Sequence, residues 1–519
     1  MISLHLNNIF EALRKKRENT SAEDKGPLIS VNQLTGRAGA LYEKVRYLVD
    51  YKEEHTIGRS AIERMIKRKL AAKMSAAIGP NFSLSLLQEL VSGGYLPNKE
   101  IPEGIADDIQ TIVNKYLLLG RMDQSGNSRA ISLMASEIEE FLCPHLVNDM
   151  VVDYFYATVA SAIKYKGSAP SDELNIQTYI GCRRSLLEDD QETLLYAVLK
   201  KHLPDLSKLS NEGEIKNIAP KFFEALSKTE KDIHDALGWK IALKLKNHSI
   251  CFSVIKEIIK KHEVAPEKIF ADDTLLEEEI RKILAEKYSQ HFQIVNKSGT
   301  RAVIYILLTK IILAFVLELP YEKFVLLSTD YFALGTNIIF HPLLLFMMVK
   351  TIRFPLSENT NFIVSSIKII AQNEPIKSIY IKERTTNIIL KIIYGLLYTA
   401  LFAISFGLIL WGLKSMHFNV VSIILFLFFL TFVSYFGFRI RYNAKKWIVA
   451  RDDESISGLL LNLFATPIVR TGRWLSRKFS SVNVFVFLMD FILEVPFKFV
   501  LGTFDSFISF LKEERGDPY

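Results

Sequence analysis

Between Ile388 and Phe438 the chain is two long apolar runs, rich in Phe, Leu and Ile, parted by little more than Lys414. A water-soluble core has no room for such stretches, whereas a helix of about 20 apolar residues matches a hydrocarbon layer of about 30 Å. Four segments meet that requirement: Ala302 to Leu319, Tyr331 to Val349, Ile388 to Leu413 and Phe418 to Phe438. At about 1.5 Å per residue the shortest covers about 27 Å, just enough to cross.

These runs do not describe the whole chain. A mean hydropathy of +0.17 is too high for an ordinary soluble protein and too low for one wholly buried in lipid. The length of 519 residues also exceeds what a single core holds. Charge divides at Arg301: from there on, 23 Lys and Arg face 15 Asp and Glu, and before it 41 face 42. The net charge of +7 therefore belongs to the membrane half, where it reads as the basic flanks of spanning helices and not as a nucleic-acid surface.

The basic residues also set an orientation. Lys297 and Arg301 precede the first span; Lys350, Arg353, Lys368, Lys377, Lys382 and Arg384 fill the second loop; Arg439, Arg441, Lys445, Lys446 and Arg451 follow the fourth span. The first and third loops offer only Lys323 and Lys414. The positive-inside rule then places the N-terminal half and the segment after the fourth span in the cytoplasm. Residues 1–32 read as an amphipathic and flexible start, with basic residues after the apolar ones and no cleavable signal.

Residues 33–300 show helical spacing almost throughout, as in Ile62, Met65, Ile66, Leu70 and Met74, so an all-α region of one or two bundles is expected ahead of the membrane domain at 301–438. Ser60 with Glu63, Ser185 with Glu188 and Thr274 with Glu277 have the spacing of capping boxes, and Ser171 precedes an acidic first turn. Pro144 should break the long stretch from Ser128 to Tyr165.

Little in this region points to catalysis. Asp107-Asp108, Asp189-Asp190 and Asp272-Asp273 lack the third acidic residue of a DDxxD site. Glu188, Asp189, Asp190 and Glu192 read as a solvated helix start beside Arg183 and Arg184. No HExxH, phosphate loop or dinucleotide fingerprint occurs, and Cys143, Cys182 and Cys251 are too scattered for a zinc or disulfide framework. The sequence thus leans away from an enzyme and calls for neither a cofactor nor a metal.

Residues 439–519 are basic and apolar by turns. Ser455 to Val469, followed by Arg470, Arg473, Arg477 and Lys478, has the make-up of an interfacial helix on an anionic leaflet, as does Ile363 to Ile370. With Arg439, Arg441, Lys445 and Lys446, those four residues are the candidates for lipid headgroups. In the apolar segment 482–501, Asp490, Glu494 and Lys498 share one helical face. An amphipathic helix in the interface and a fifth span with an inward charged stripe both remain open.

Within the spans, Lys310 stands near the middle of the first, where a bare ammonium costs about 2.5–3.5 kcal/mol, so it needs a partner. Glu318 lies eight residues on, too far for direct contact along a straight helix, which leaves Asp490 or Glu494 if their segment inserts. In the second span Asn337 and His341 lie one turn apart beside Pro342, which frees a backbone carbonyl. Three functions fit. The first is a scaffold whose cytosolic helices bind a protein partner. The second is a channel or transporter built on the polar span residues, needing a homo-oligomer because the spans are few. The third, a lipid-modifying enzyme, finds no nucleophile or metal cluster to support it.

Overall fold

A computed structural model of the chain describes residues 3–20, 27–31, 57–72, 81–122, 128–167, 170–327, 330–352, 357–382, 388–449 and 456–480. The segment 482–501, with Asp490, Glu494 and Lys498, lies outside them. The described chain is helical nearly throughout and forms two units, one within Met1–Ala271 and Ile369–Lys382, the other within Asp272–Lys368 and Glu383–Asn483.

The first unit contains α1 (Leu4–Thr20), α2 (Ile57–Ala72), α3 (Asn81–Ser92), α4 (Ile105–Met122), α5 (Ser128–Leu142), α6 (Leu146–Ala160), α7 (Ser171–Leu186), α8 (Gln191–His202), α9 (Glu212–His234), α10 (Ala236–Lys261) and α11 (Pro266–Ala271). The chain breaks between α5 and α6 at Pro144, as its missing N–H requires. Helix α7 lies close on α10 because Gly181 brings only a hydrogen to Ile241; a Cβ there would collide with that side chain. Phe252 of α10 meets Phe155 and Tyr154 of α6 with ring centroids 4.4 and 5.2 Å apart, and all three are buried. Between α4 and α5, Lys115 Nζ donates to Glu137 Oε1 at 2.5 Å and to the Leu206 carbonyl at 2.9 Å. Tyr116 Oη donates to Glu137 Oε2 at 2.7 Å, so this buried charge pair is fully bonded.

Two local expectations fail here. Residues Ile163–Lys166 form a strand, β1, paired in parallel with β2 (Ile379–Lys382), Ile163 opposite Ile379. The alternation Ile-Lys-Tyr-Lys is too short to announce itself, and its partner lies far along the chain. Nor do the expected capping boxes start helices. Ser60 sits inside α2, and Ser185 near the end of α7. Other side chains cap the helices: Asp190 accepts from the Thr193 N–H ahead of α8, Asn211 from the Gly213 N–H ahead of α9, Asp235 from the Leu237 N–H ahead of α10, and Asp272 from the Thr274 and Leu275 N–H groups. A carboxylate at the N-cap adds charge to the hydrogen bond and complements the helix dipole.

Among the described residues, four helices are long and apolar enough to cross a membrane, all in the second unit, the architecture of a multi-pass membrane protein. Helix α12 (Asp273–Leu313) carries the first. It runs unbroken for 41 residues, about 62 Å, so the span expected at Ala302 is the continuation of a longer polar helix. Beyond Leu313 the helix widens into π turns at Ala314–Glu318 and Glu322–Leu326, flanking Leu319–Tyr321. Pro320 explains the widening: its ring and missing N–H forbid regular α-bonding just before it.

Helices α13 (Tyr331–Lys350), α15 (Ile388–Ser415) and α16 (Val420–Ala444) are the remaining spans, within a few residues of the segments expected; α14 (Ser357–Ala371) and α17 (Ile456–Ser480) complete the set. The polar part of α12 is tied down by Asn359 of α14, whose amide donates to Tyr288 Oη and to the Trp447 carbonyl, and by His291 at 2.7 Å from the Asn443 carbonyl. Helix α15 has little protein cover, with Ile388 72% and Trp411 73% exposed, an apolar surface of the kind that faces lipid or another protein.

Candidate functional site

The polar residues of the first two spans converge. Lys310, on α12, is 1% exposed and donates from Nζ to Asn337 Oδ1 at 2.7 Å. Asn337, on α13, donates in turn from Nδ2 to Glu318 Oε1 at 2.6 Å. One amide thus connects an ammonium to a carboxylate too distant to touch it. Its donor end meets the anion and its acceptor end the cation, an arrangement that neither Leu nor Asp at this position could reproduce. The π turn at Ala314–Glu318 rotates Glu318 toward α13. Lys310 also lies over the Phe429 ring of α16, 4.3 Å from the centroid, which shields the ammonium with the ring's negative face.

His341 sits one turn beyond Asn337, fully buried, with Nδ1 3.2 Å from the Asn337 carbonyl and Nε2 3.0 Å from the Phe426 carbonyl of α16. Both neighbours are acceptors, so a neutral ring donates to one of them at a time. The ring packs against Phe426, Phe340 and Phe429. One turn past Glu318, Glu322 accepts from Asn419 Nδ2 at 2.7 Å, and Asn419 Oδ1 caps α16 by accepting from the Ser422 N–H at 2.8 Å.

Of the residues singled out from sequence, Lys310, Glu318, Asn337 and His341 are therefore brought together. Among the described residues the partner of Lys310 is Asn337, and through it Glu318; Asp490 and Glu494 lie outside them. Glu322, Asn419 and Ser422 escaped notice. Asn419 and Ser422 have the i, i+3 spacing of an N-cap ahead of an apolar run, which is the signal that places them.

The basic candidates fall elsewhere. Arg439 and Arg441 belong to the last turns of α16, with Lys445 and Lys446 just beyond. Arg470 stacks on the Tyr398 ring of α15, 4.9 Å away, and Arg473, Arg477 and Lys478 follow on α17. Helix α17 packs on the middle of the spans as well as carrying charge: Ser405 Oγ of α15 donates to the Phe464 carbonyl, and Gly472 lies directly against the Thr431 carbonyl of α16.

In the first unit, an open cleft of about 530 Å³ lies among α5, α8 and α9, lined by charges of both signs including Arg129, Glu192, Glu230, Lys231 and His234. Beside it the acidic stretch after α7 is occupied structurally. Asp189 accepts from Arg183 Nε at 2.5 Å, and Asp190 from Arg59 Nη2 at 2.6 Å. Burial opposes the charge on Arg183, but Asp189, Tyr179 and Asp149 outweigh it and hold the guanidinium well above its ordinary pKa. No family model matches the chain, and no curated protein or solved structure does so either.

Proposed function

We propose that this chain is a membrane-anchored scaffold: its spans fix it in the bilayer, and its first unit faces the cytoplasm and binds a protein partner. One observation carries the reading. The first unit has its own buried core and an open cleft lined by charges of both signs, suited to a polar protein segment. Orientation rests on the loop charges, and contact with anionic lipid headgroups on the basic residues after α16 and along α17.

Affinity purification from membranes in mild detergent tests this. The full chain is expected to retain a partner that the charge-reversed variant Glu192→Lys/Glu230→Lys releases. If the wild type repeatedly retains nothing above background, the scaffold reading fails. For orientation, Cys143 is an exposed thiol in the first unit, so a membrane-impermeant maleimide should label it only from the cytoplasmic side.

A second reading, an oligomeric channel or transporter, is favoured by the Lys310–Asn337–Glu318 chain within the spans. Flux through proteoliposomes, abolished by Lys310→Met or His341→Leu in chains that still fold, is its test; unchanged flux refutes it.

A further inference from the structure

We propose that Glu318, Glu322 and Ser422 form a binding site for one monovalent cation of the size of sodium, at the end of the bundle where α16 begins. The inference starts from three buried oxygens. Glu318 is 2% exposed, Glu322 1% and Ser422 not at all, yet among the described residues Oε2 of each glutamate and Oγ of the serine have no hydrogen-bond partner. A buried oxygen left unbonded costs about 1–3 kcal/mol, more when charged, so three in one place point to a ligand that they share.

The three belong to one place by helix geometry. On α16, Asn419 meets Glu322, Phe426 meets His341 and Phe429 meets Lys310. Ser422 lies between Asn419 and Phe426 at i+3 and i−4, on the same face, and therefore looks onto the stretch of α12's continuation between Glu322 and the Lys310 network. Glu318 occupies that stretch, one turn before Glu322 and close enough for the two carboxylates to repel. Asn337 and Asn419 hold the carboxylates through Oε1, the Asp330 backbone N–H lies near the Glu322 carboxylate, and each Oε2 is left without a hydrogen-bond partner among the described residues.

Charge selects the ligand. Two buried carboxylates, Glu318 and Glu322, face one buried ammonium, Lys310, while the partly exposed Asp330 near Glu322 is engaged as the cap of α13 through the Phe332 and Ala333 N–H groups. The polar cluster is then one positive charge short, in surroundings where an uncompensated charge is expensive. A divalent ion would overshoot and prefers six or more oxygens. A proton shared by the two carboxylates would close the charge as well, and the test below separates it from a metal ion. A monovalent cation satisfies all three oxygens and closes the charge.

The test uses the full chain in detergent, with Na⁺ replaced by choline at constant total chloride. Each tenfold increase in Na⁺ above the dissociation constant should raise the unfolding temperature of the second unit by about 3–5 °C. Ser422→Ala and Glu318→Gln should flatten that response, whereas Ser405→Ala on α15 should keep it. Retention of ²²Na⁺ by monodisperse protein, lost in Ser422→Ala, supplies a readout independent of stability. The proposal is overturned if choline stabilises as well as Na⁺, if Ser422→Ala retains ²²Na⁺, or if stabilisation follows acidification alone, which would make the ligand a proton.

Discussion

Asn337 is the hub on which the membrane bundle turns, and replacing it by leucine is the sharpest test of that role. The substitution removes the acceptor for Lys310 Nζ and the donor to Glu318 Oε1 together, while filling nearly the same volume. Hydrogen bonds to charged groups contribute about 1.5–3 kcal/mol each, which sets an upper range of about 3–6 kcal/mol for the pair. Hydrogen bonds between membrane helices average only about 0.6 kcal/mol, which sets a floor near 1 kcal/mol. The stranded ammonium and carboxylate decide between these limits, because both stay buried without a neutral neighbour between them. A loss of about 3 kcal/mol is expected, a shift of about a hundredfold in the folded-to-unfolded ratio. Reversible unfolding in mixed micelles measures it. The triple replacement Lys310→Met/Asn337→Leu/Glu318→Met should recover most of the loss, since an apolar set of similar volume removes the stranded charges as well. If Asn337→Leu alone costs less than about 0.6 kcal/mol, or if the triple variant is worse than the single, the hub does not hold the spans together.

In the first unit, Lys115→Met leaves Glu137 and the Leu206 carbonyl buried without their donor and should cost about 3–5 kcal/mol; thermal unfolding by circular dichroism should show Lys115→Met/Glu137→Leu regaining much of it. At Glu63, burial raises the carboxyl pKa, but hydrogen bonds from Lys67, Arg59 and Ser132 outweigh it and hold the value below the ordinary 4.5. Its contribution is complete above that value and disappears as pH falls through the depressed one, so Glu63→Gln should flatten the acid limb of the unfolding curve and leave the neutral limb parallel. Maleimide should modify exposed Cys143 well before Cys182, whose thiol burial pushes far above its ordinary pKa; equal rates would contradict the packing of α7 on α10. Gly472→Ala, which sets a Cβ against the rigid Thr431 carbonyl, should cost about 1–3 kcal/mol. Gly437→Ala, which meets the flexible ends of Met348 and Leu345, should cost less, and the reverse order in melting temperature would refute the helix placement.

Much of the membrane unit is written locally. A span is an unbroken apolar run of fixed length, so α13, α15 and α16 fall within a few residues of where hydropathy puts them. The start of α12 is hidden because Lys297 and Arg301 mark a membrane boundary without interrupting a helix, and helices propagate through charged residues at little cost. Lys310, Asn337 and His341 announce themselves, being polar where polarity is expensive. What they bond is not legible, because the link from Lys310 to Glu318 passes through a residue of another helix and depends on a π turn that spacing rules do not foresee. Aspartate caps and the β1–β2 pair escaped for a related reason: one is a competition between neighbouring side chains, the other a pairing across more than two hundred residues.

The unbroken run of α12 makes it a ruler with two fixed marks. Tyr288 and His291 set its rotation at one end against Asn359 and the Asn443 carbonyl, and Lys310 sets it at the other against Asn337. A single inserted or deleted residue anywhere between 292 and 309 turns one mark by about 100° relative to the other and moves it about 1.5 Å along the axis. No loop within that stretch can absorb the change. Exposed positions such as Ile294 and Tyr305 can therefore drift in identity over evolution while the number of residues between the marks stays constant, a constraint on length independent of any constraint on composition.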